Sequence, residues 1–242
     1  MKIRTRKYRD TLEKPSYWPS FVDVMTTITL VFFFIMIIIS GMSKLMVDNI
    51  ADKRLALYEK IQSNLNENNV SEDFMKLNKE EGKLEIPTET FFDSGKSDLK
   101  EDGINAADTL GRIFMSLFND EEIESQIQYI EIVGHTDYVG DTIYNRTLST
   151  ERAMSFLNRM VPMDSELENK LGHKFKASGM SEFEKIDENN RTVNSTAEER
   201  YGSEYNEEEA QKLRRIEVRM VFSNTDIENS IKERIKNKEV DN

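Results

Sequence analysis

Asp23 is the residue whose type and position carry the most chemistry in this sequence. It is the one ionisable side chain in residues 21–42, FVDVMTTITLVFFFIMIIISGM. A lone carboxylate in a membrane-spanning helix costs about 2.5–3.5 kcal/mol at the helix centre. Such residues usually face a protein interior or a wet cavity, and they mark ion or proton paths. Thr26 and Thr27 follow at i+3 and i+4, so three polar side chains share one helical face. One helix cannot enclose an ion path, so this stripe predicts other helices around it. A second reading stands beside this one. Asp23 lies only two residues inside the apolar run, close enough to snorkel to the headgroups, and Thr is common in membrane helices.

Other chemistries find little support. The 242 residues contain no Cys and only two His, His135 and His173, which leaves no thiol catalysis and little for a metal site. Gly95-Lys96-Ser97 has the last residues of a phosphate-binding loop, but the glycine needed five positions earlier is Thr90. No nucleophile-elbow, zincin or calcium-loop pattern is present. The sequence therefore predicts no enzyme, no catalytic residue, no metal and no cofactor. The net charge of −12 argues against direct nucleic-acid binding, which needs a basic surface.

The elements that must position Asp23 begin with a basic head. Residues 1–20 carry six basic and two acidic side chains, a sum of +4, and the remainder carries −16. The 22-residue apolar run that follows spans roughly 33 Å as a helix, enough to cross a bilayer. It is longer than a signal-peptide core and ends Ser40-Gly41-Met42-Ser43-Lys44, a poor cleavage site, so an uncleaved anchor is expected. Five basic residues in the first nine positions place the N-terminus in the cytoplasm and residues 44–242 outside it. Tyr17 and Trp18 fit an aromatic belt at the cytoplasmic interface.

Residues 43–81 read as a helical linker running to about Leu65, either a spacer or a dimer-forming stalk. Residues 82–222 alternate strand and helix signals: an extended segment Lys83–Phe92 interrupted at Pro87, a helix Glu101–Phe118, and a strand Gln126–Val133. A helix Ser149–Met160, a strand Lys174–Ala177, a helix Glu198–Lys212 and a strand Arg215–Phe222 follow. The expected class is α+β: a single N-terminal transmembrane helix, then an α/β sandwich large enough for its own core. The tail 223–242 has Ile227, Ile231 and Ile235 at i+4 steps, a short docking helix or a frayed end.

Two stretches resemble known families. Trp18-Pro-Ser-Phe21-Val-Asp23-Val-Met25-Thr26 is similar to the start of the membrane helix in stator B subunits, which include flagellar MotB and the ZorB proteins of Zorya anti-phage systems. The Trp-to-Asp spacing of five is closer to ZorB. Four blocks in 82–222 resemble the OmpA-like peptidoglycan-binding domain: Phe92–Leu99; Gly134-His-Thr-Asp137 with Gly140, Tyr144-Asn145, Leu148-Ser149 and Glu151–Ala153; Ala177–Glu182; and Arg214-Arg-Ile-Glu-Val218.

These resemblances imply a peptidoglycan-anchored, ion-conducting B subunit. It would be a homodimer inside a ring of multi-pass MotA/ZorA-like A subunits, in the bacterial inner membrane with its C-terminal domain periplasmic. ZorB-like defence is the first expectation, flagellar MotB the alternative, and a passive cell-wall anchor the second alternative. Asp23 falls on the family's ion-carrying aspartate. Asp137 and Arg152 match its ligand pair, and Asn145 and Leu148 match positions lining the site. A diaminopimelate stem presents an ammonium beside a carboxylate. Asp137, just after a strand, can take the first, and Arg152, at the start of a helix, can take the second bidentately. On their own residues, Asp137 could instead cap a turn and Arg152 could be a solvated helix residue. Arg215 is counted with the binding residues, although Arg214 and Arg215 could equally brace the site or pair with nearby acids. His135 is expected to pack or hydrogen-bond rather than bind metal. The sequence departs from the family at Leu213, which stands where Asn or Asp is usual, and at an apparent acidic insertion, Tyr201–Glu209.

Overall fold

The computed structural model describes residues 17–71, 74–187, 191–202 and 204–223. The expected docking helix or frayed end at 223–242 lies outside them, apart from Ser223. The chain divides into two units, residues 1–53 and 54–242.

The first unit is the apolar part of a helix, α1, that runs over Trp18–Glu67. Among the described residues it is the one helix long and apolar enough to cross a membrane, and its apolar window is wholly exposed. That exposure separates it from the core helix of a soluble fold, which would be covered. Phe21, Val22, Phe32, Phe33, Phe34 and Ile38 all stand open, a surface that water does not tolerate over this length. Asp23, Thr26 and Thr27 stand on one face of this helix, and the threonine hydroxyls bond within it. Thr26 Oγ1 donates to the Val22 carbonyl at 2.7 Å and Thr27 Oγ1 to the Asp23 carbonyl at 2.9 Å. Their hydroxyl protons are thus used within the helix, as an apolar surrounding demands.

The second unit begins inside what reads in the sequence as linker. Leu57, Tyr58, Ile61 and Leu65 are buried in the core cluster of the C-terminal domain, together with Met75. Of the linker's apolar positions Leu45, Leu55, Tyr58, Ile61 and Leu65, the last three are covered by the chain's own domain, while Leu45 and Leu55 stay exposed; apolar positions on one helical face bury as readily against a sheet as against a second helix. Lys60 also reaches Asp120 at 2.8 Å, and Tyr58 meets the Phe222 ring edge-on at 6.0 Å.

The domain is built on a five-stranded sheet. Its strands are β1 (Lys76–Asn78), β2 (Lys83–Pro87), β3 (Ile127–His135), β4 (Phe175–Ser181) and, last in the chain, β7 (Arg215–Phe222). They lie in the order β1-β2-β7-β3-β4. Only β3 and β4 are parallel. A second sheet pairs β5 (Glu184–Ile186) with β6 (Thr192–Asn194). The helices are α2 (Glu101–Leu117), α3 (Glu121–Gln126), α4 (Thr142–Met160), α5 (Glu166–Leu171), α6 (Ala197–Tyr201) and α7 (Glu207–Leu213).

Strand alternation gives the sheet two unlike faces. Leu84, Ile86, Ile130, Ile132, Ile216, Val218 and Met220 join the apolar core with Ala107, Leu110 and Phe114 of α2 and Phe156 of α4. The intervening residues Lys83, Glu85, His135, Arg215 and Glu217 are buried and polar. The β5–β6 hairpin lies at this second face: Lys83 donates to Thr192, Arg219 pairs with Glu184, and Arg215 Nη1 reaches the Glu184 carbonyl at 3.4 Å.

The extended segment from Lys83 breaks at Pro87, where the sequence reading puts the interruption, and Phe91 N then closes a turn on Thr88 O at 3.1 Å. Other boundaries differ from that reading. Helix α4 starts seven residues earlier than expected, because the Asp141 side chain caps it through Tyr144 N at 2.8 Å. The helix expected over Glu198–Lys212 is two short helices. Thr196 starts the first with a capping box and Asn206 caps the second, with Gly202 between them.

Two glycines explain why α4 can cross so close to the sheet. A Cβ on Gly134 would collide with the Ser149 carbonyl, and one on Gly179 with Thr150 and the Ser149 hydroxyl. Only residues without a side chain let α4 settle onto β3 and β4, and this seating fixes where Arg152 stands.

Candidate functional site

A cavity of about 800 Å3 opens beside the C-terminal end of β3. It brings together Asp137, Asn145, Leu148 and Arg152, four of the five binding residues read from the sequence. The fifth, Arg215, is not in its wall. Arg215 is buried on the polar face of the sheet, where its Nε donates to Glu217 Oε1 at 2.8 Å. Arg214 lines the cavity in its place.

Asp137 is fixed from two directions. Its Oδ1 accepts from Val139 N at 3.1 Å, and its Oδ2 accepts from Arg214 Nη1 at 2.8 Å. It therefore caps a turn and also faces the cavity. Asn145 holds the same turn by donating to the Asp137 carbonyl at 3.3 Å.

Arg152 belongs to the interior of α4, ten residues after its start at Thr142, rather than to a helix start. The helix N-terminus is occupied by its own Asp141 cap, so it adds no anion site next to Arg152. The guanidinium is buried over the face of Phe92 at 5.0 Å. Its Nε donates to Lys96 O at 2.9 Å and Nη2 to Asp93 O at 3.4 Å. Burial lowers its pKa, and nearby Tyr144 and Asp137 resist that shift. Arginine stays charged through such a change. Among the described residues these two bonds use two of its five N–H groups.

Arg214 is the node that sequence reasoning left undecided. Nη1 also approaches Tyr205 Oη at 3.3 Å, while Nη2 reaches Glu207 Oε1 at 2.6 Å and Glu89 Oε1 at 3.4 Å. Burial works against its charge, but the hydrogen bonds to Asp137, Tyr205 and Glu207 outweigh it and hold the pKa above the ordinary arginine value. Three other wall residues went unread: Thr136, Glu89 and Tyr205. Thr136 sits inside the Gly-His-Thr-Asp block, and its buried Oγ1 has no hydrogen-bond partner among the described residues.

Behind this wall lies a charged network. Glu217, fully buried, is met by Lys83 Nζ at 3.0 Å, Arg215 Nε at 2.8 Å and Arg219 Nε at 2.8 Å. His135 Nε2 stands 3.6 Å from Glu217 Oε2, beyond hydrogen-bonding length. Candidate ligand atoms of His135, Glu184 and Glu217 lie within 4.8 Å of one another, the spacing of a metal site. Three cationic side chains already occupy the coordinating side of Glu217, and a divalent ion would have to displace them. The donor set does not suit a metal.

Burial, with Arg215 adding to it, pushes the His135 imidazole down from 6.5 to about 4, although Glu217 pulls the other way. An imidazole with a depressed folded pKa is neutral in the folded chain and protonated in the unfolded one between those two values. Stability therefore falls as pH drops through that window, by up to about 3 kcal/mol. Glu217, whose own pKa is held below the carboxylate range, adds its loss only at more acid pH. Denaturant titrations of wild type and His135→Gln from pH 7 to 4 should diverge in slope. Parallel curves would remove His135 as the cause.

No protein-family model matches the chain, and none of the curated proteins does. Solved structures do. A MotB-like protein from Desulfovibrio vulgaris is 19% identical, with 72% of this chain and 98% of that one covered and a TM-score of 0.53. At this identity the likeness shows the fold alone. The C-terminal domain has the MotB/OmpA-like α/β fold. The periplasmic domain of Helicobacter pylori MotB also aligns, at 15% identity over 64% of this chain and 85% of that one, TM-score 0.42. So does the cell wall anchor of the type VI secretion system from Pseudomonas aeruginosa, at 18% identity over 58% and 80%, TM-score 0.37.

Proposed function

We propose that the C-terminal domain anchors this chain to peptidoglycan by clasping the zwitterionic end of a diaminopimelate stem. The observation that carries the reading is the single cavity shared by Asp137 and Arg152, with Asn145 and Leu148 in the same wall. Among the described residues three N–H donors of the buried Arg152 are without a partner, an arrangement suited to binding a carboxylate in two-pronged fashion. Asp137 offers the opposite charge to an ammonium. The positive-inside flanks of α1 orient the domain to the periplasm, and no catalytic step is required.

The test is co-sedimentation of the full chain in detergent with purified sacculi. The chain should pellet with diaminopimelate-type sacculi, and free meso-diaminopimelate should release it. Equal pelleting with and without sacculi, or indifference to the free amino acid, would sink the proposal.

A second reading concerns Asp23. Among the described residues no hydrogen bond or ion pair engages its carboxylate, and it stands on an exposed apolar helix. That situation favours a carboxylate that carries an ion among further helices supplied by partners. On this reading two copies sit within a ring of MotA/ZorA-like subunits, and Asp23 takes up and releases a proton or Na⁺ while the wall-bound domain holds still. The Trp18-to-Asp23 spacing favours a ZorB-like role in anti-phage defence over a flagellar MotB role. A passive wall anchor is the reading left if Asp23 carries nothing.

A further inference from the structure

The acidic insertion has a place in the cavity that the clasp alone does not require. Asn206 N donates to Tyr138 Oη at 2.9 Å, and the rings of Tyr138 and Tyr205 meet edge-on at 5.9 Å. These contacts fasten the stretch 204–207 at the cavity rim. From there Tyr205 bonds Glu207, and Glu207 holds Arg214 at 2.6 Å.

The charge count at this end of the cavity is uneven. Arg214 is the cation shared by Asp137, Glu207 and Glu89, at 2.8, 2.6 and 3.4 Å. One positive charge among three negative ones leaves a formal excess of −2. An arginine paired with Asp137 alone would cancel that carboxylate and repel an incoming cation. Drawn toward Glu207 and Glu89, the same arginine leaves Asp137 with charge to offer.

We propose that Glu207 is a positioning residue that sets the ligand preference of the site: by sharing Arg214 it keeps Asp137 available for a free ammonium, so the cavity selects stem peptides whose diaminopimelate amine is unacylated. The inference rests on the peptidoglycan reading and adds a chemical class to it. Acylation of that amine, as in a cross-linked stem, removes the positive charge and adds bulk. The penalty for acylation falls on the acidic end of the cavity, while the carboxylate end at Arg152 is untouched.

Three ligands and one substitution separate the roles. The ligands are a tetrapeptide ending in meso-diaminopimelate and D-alanine, the same peptide acetylated at the side-chain amine, and the same peptide amidated at the side-chain carboxylate. Each is titrated calorimetrically into the full chain in nanodiscs, as wild type and as Glu207→Gln. Glu207 is half exposed, so the variant keeps its fold, and a thermal melt checks this. Wild type should prefer the free amine over the acetylated one, and Glu207→Gln should shrink that preference about three- to fivefold. The preference for the free carboxylate over the amide should stay constant between the two proteins. An unchanged amine preference, or equal weakening toward all three peptides, overturns the role of Glu207 while leaving the clasp standing. Wild type that binds none of the peptides overturns both.

Discussion

Replacing Arg152 by Ala should weaken binding of a diaminopimelate tetrapeptide by about 100-fold, the scale for removing one member of a buried, hydrogen-bonded charge pair. The guanidinium is desolvated over Phe92 and aimed by its bonds to the carbonyls of Lys96 and Asp93. The residual donors cannot be supplied by another side chain at that depth. Alanine also leaves the two carbonyls without their donor, so part of the loss could come from a disturbed loop. Arg152→Lys separates the two effects. It keeps the charge but cannot form the planar fork, and it should lose at least tenfold. Asp137→Asn should lose affinity for the free-amine peptide while retaining the Val139 turn, since an amide oxygen still accepts. Melting curves matched to wild type, with calorimetric affinities reduced in this order, are the expected result. Wild-type affinity in Arg152→Lys would mean that the fork plays no part in recognition.

Asp23→Asn should abolish ion flux while leaving sacculus binding intact. The substitution preserves shape and removes the titratable charge. A carboxylate that alternates between charged and neutralised forms changes its preferred surroundings by several kcal/mol, which is enough to bias the position of a helix within a ring. An amide makes no such alternation. The chain is co-expressed with a MotA/ZorA-like multi-pass subunit, the partner proposed above, purified and reconstituted in liposomes, and flux is followed with pH- and Na⁺-sensitive dyes. Assembly should be equal for both proteins, with flux at background for the variant. Equal flux in both, or no co-purifying partner, would reduce the protein to a tether. Thr26 and Thr27 should matter less than the sequence stripe implied, because their hydroxyl protons already serve the helix carbonyls.

The outcome at particular residues shows what was legible in the chain. Strand β7 could be read at its observed limits because Ile216, Val218 and Met220 alternate with charged residues, a period that only a half-apolar strand requires. The same alternation already put Arg215 with Glu217 and Arg219, on the side away from the core. What it could not tell is that the β5–β6 hairpin reaches that side, through contacts of Arg215 and Arg219 with Glu184. Arg215 therefore lies buried beside Glu217, and Arg214 stands in the cavity wall. The clustering of Asp137, Asn145, Leu148 and Arg152 was legible because one loop and the helix that follows it carry all four, so local spacing fixes them. Glu89 comes from a distant segment, and only tertiary packing joins it to Arg214, whereas Tyr205 and Glu207 stand just before α7 and at its start, with Arg214 at its end. Tyr58, Ile61 and Leu65 belong to a helical stripe that is equally good for a stalk or a core, and Leu57 beside them is buried too. The partner was the domain itself, and no period in the sequence reports that.

The most direct test compares two stem peptides on the full chain in nanodiscs by calorimetry. One ends in meso-diaminopimelate. The other carries lysine there, which keeps the ammonium and lacks the carboxylate that Arg152 is held to receive. The account predicts clear binding of the first and affinity at least about tenfold lower for the second, the worth of a charge-assisted bidentate contact. Equal affinity for the two, or no heat from the first, would contradict it.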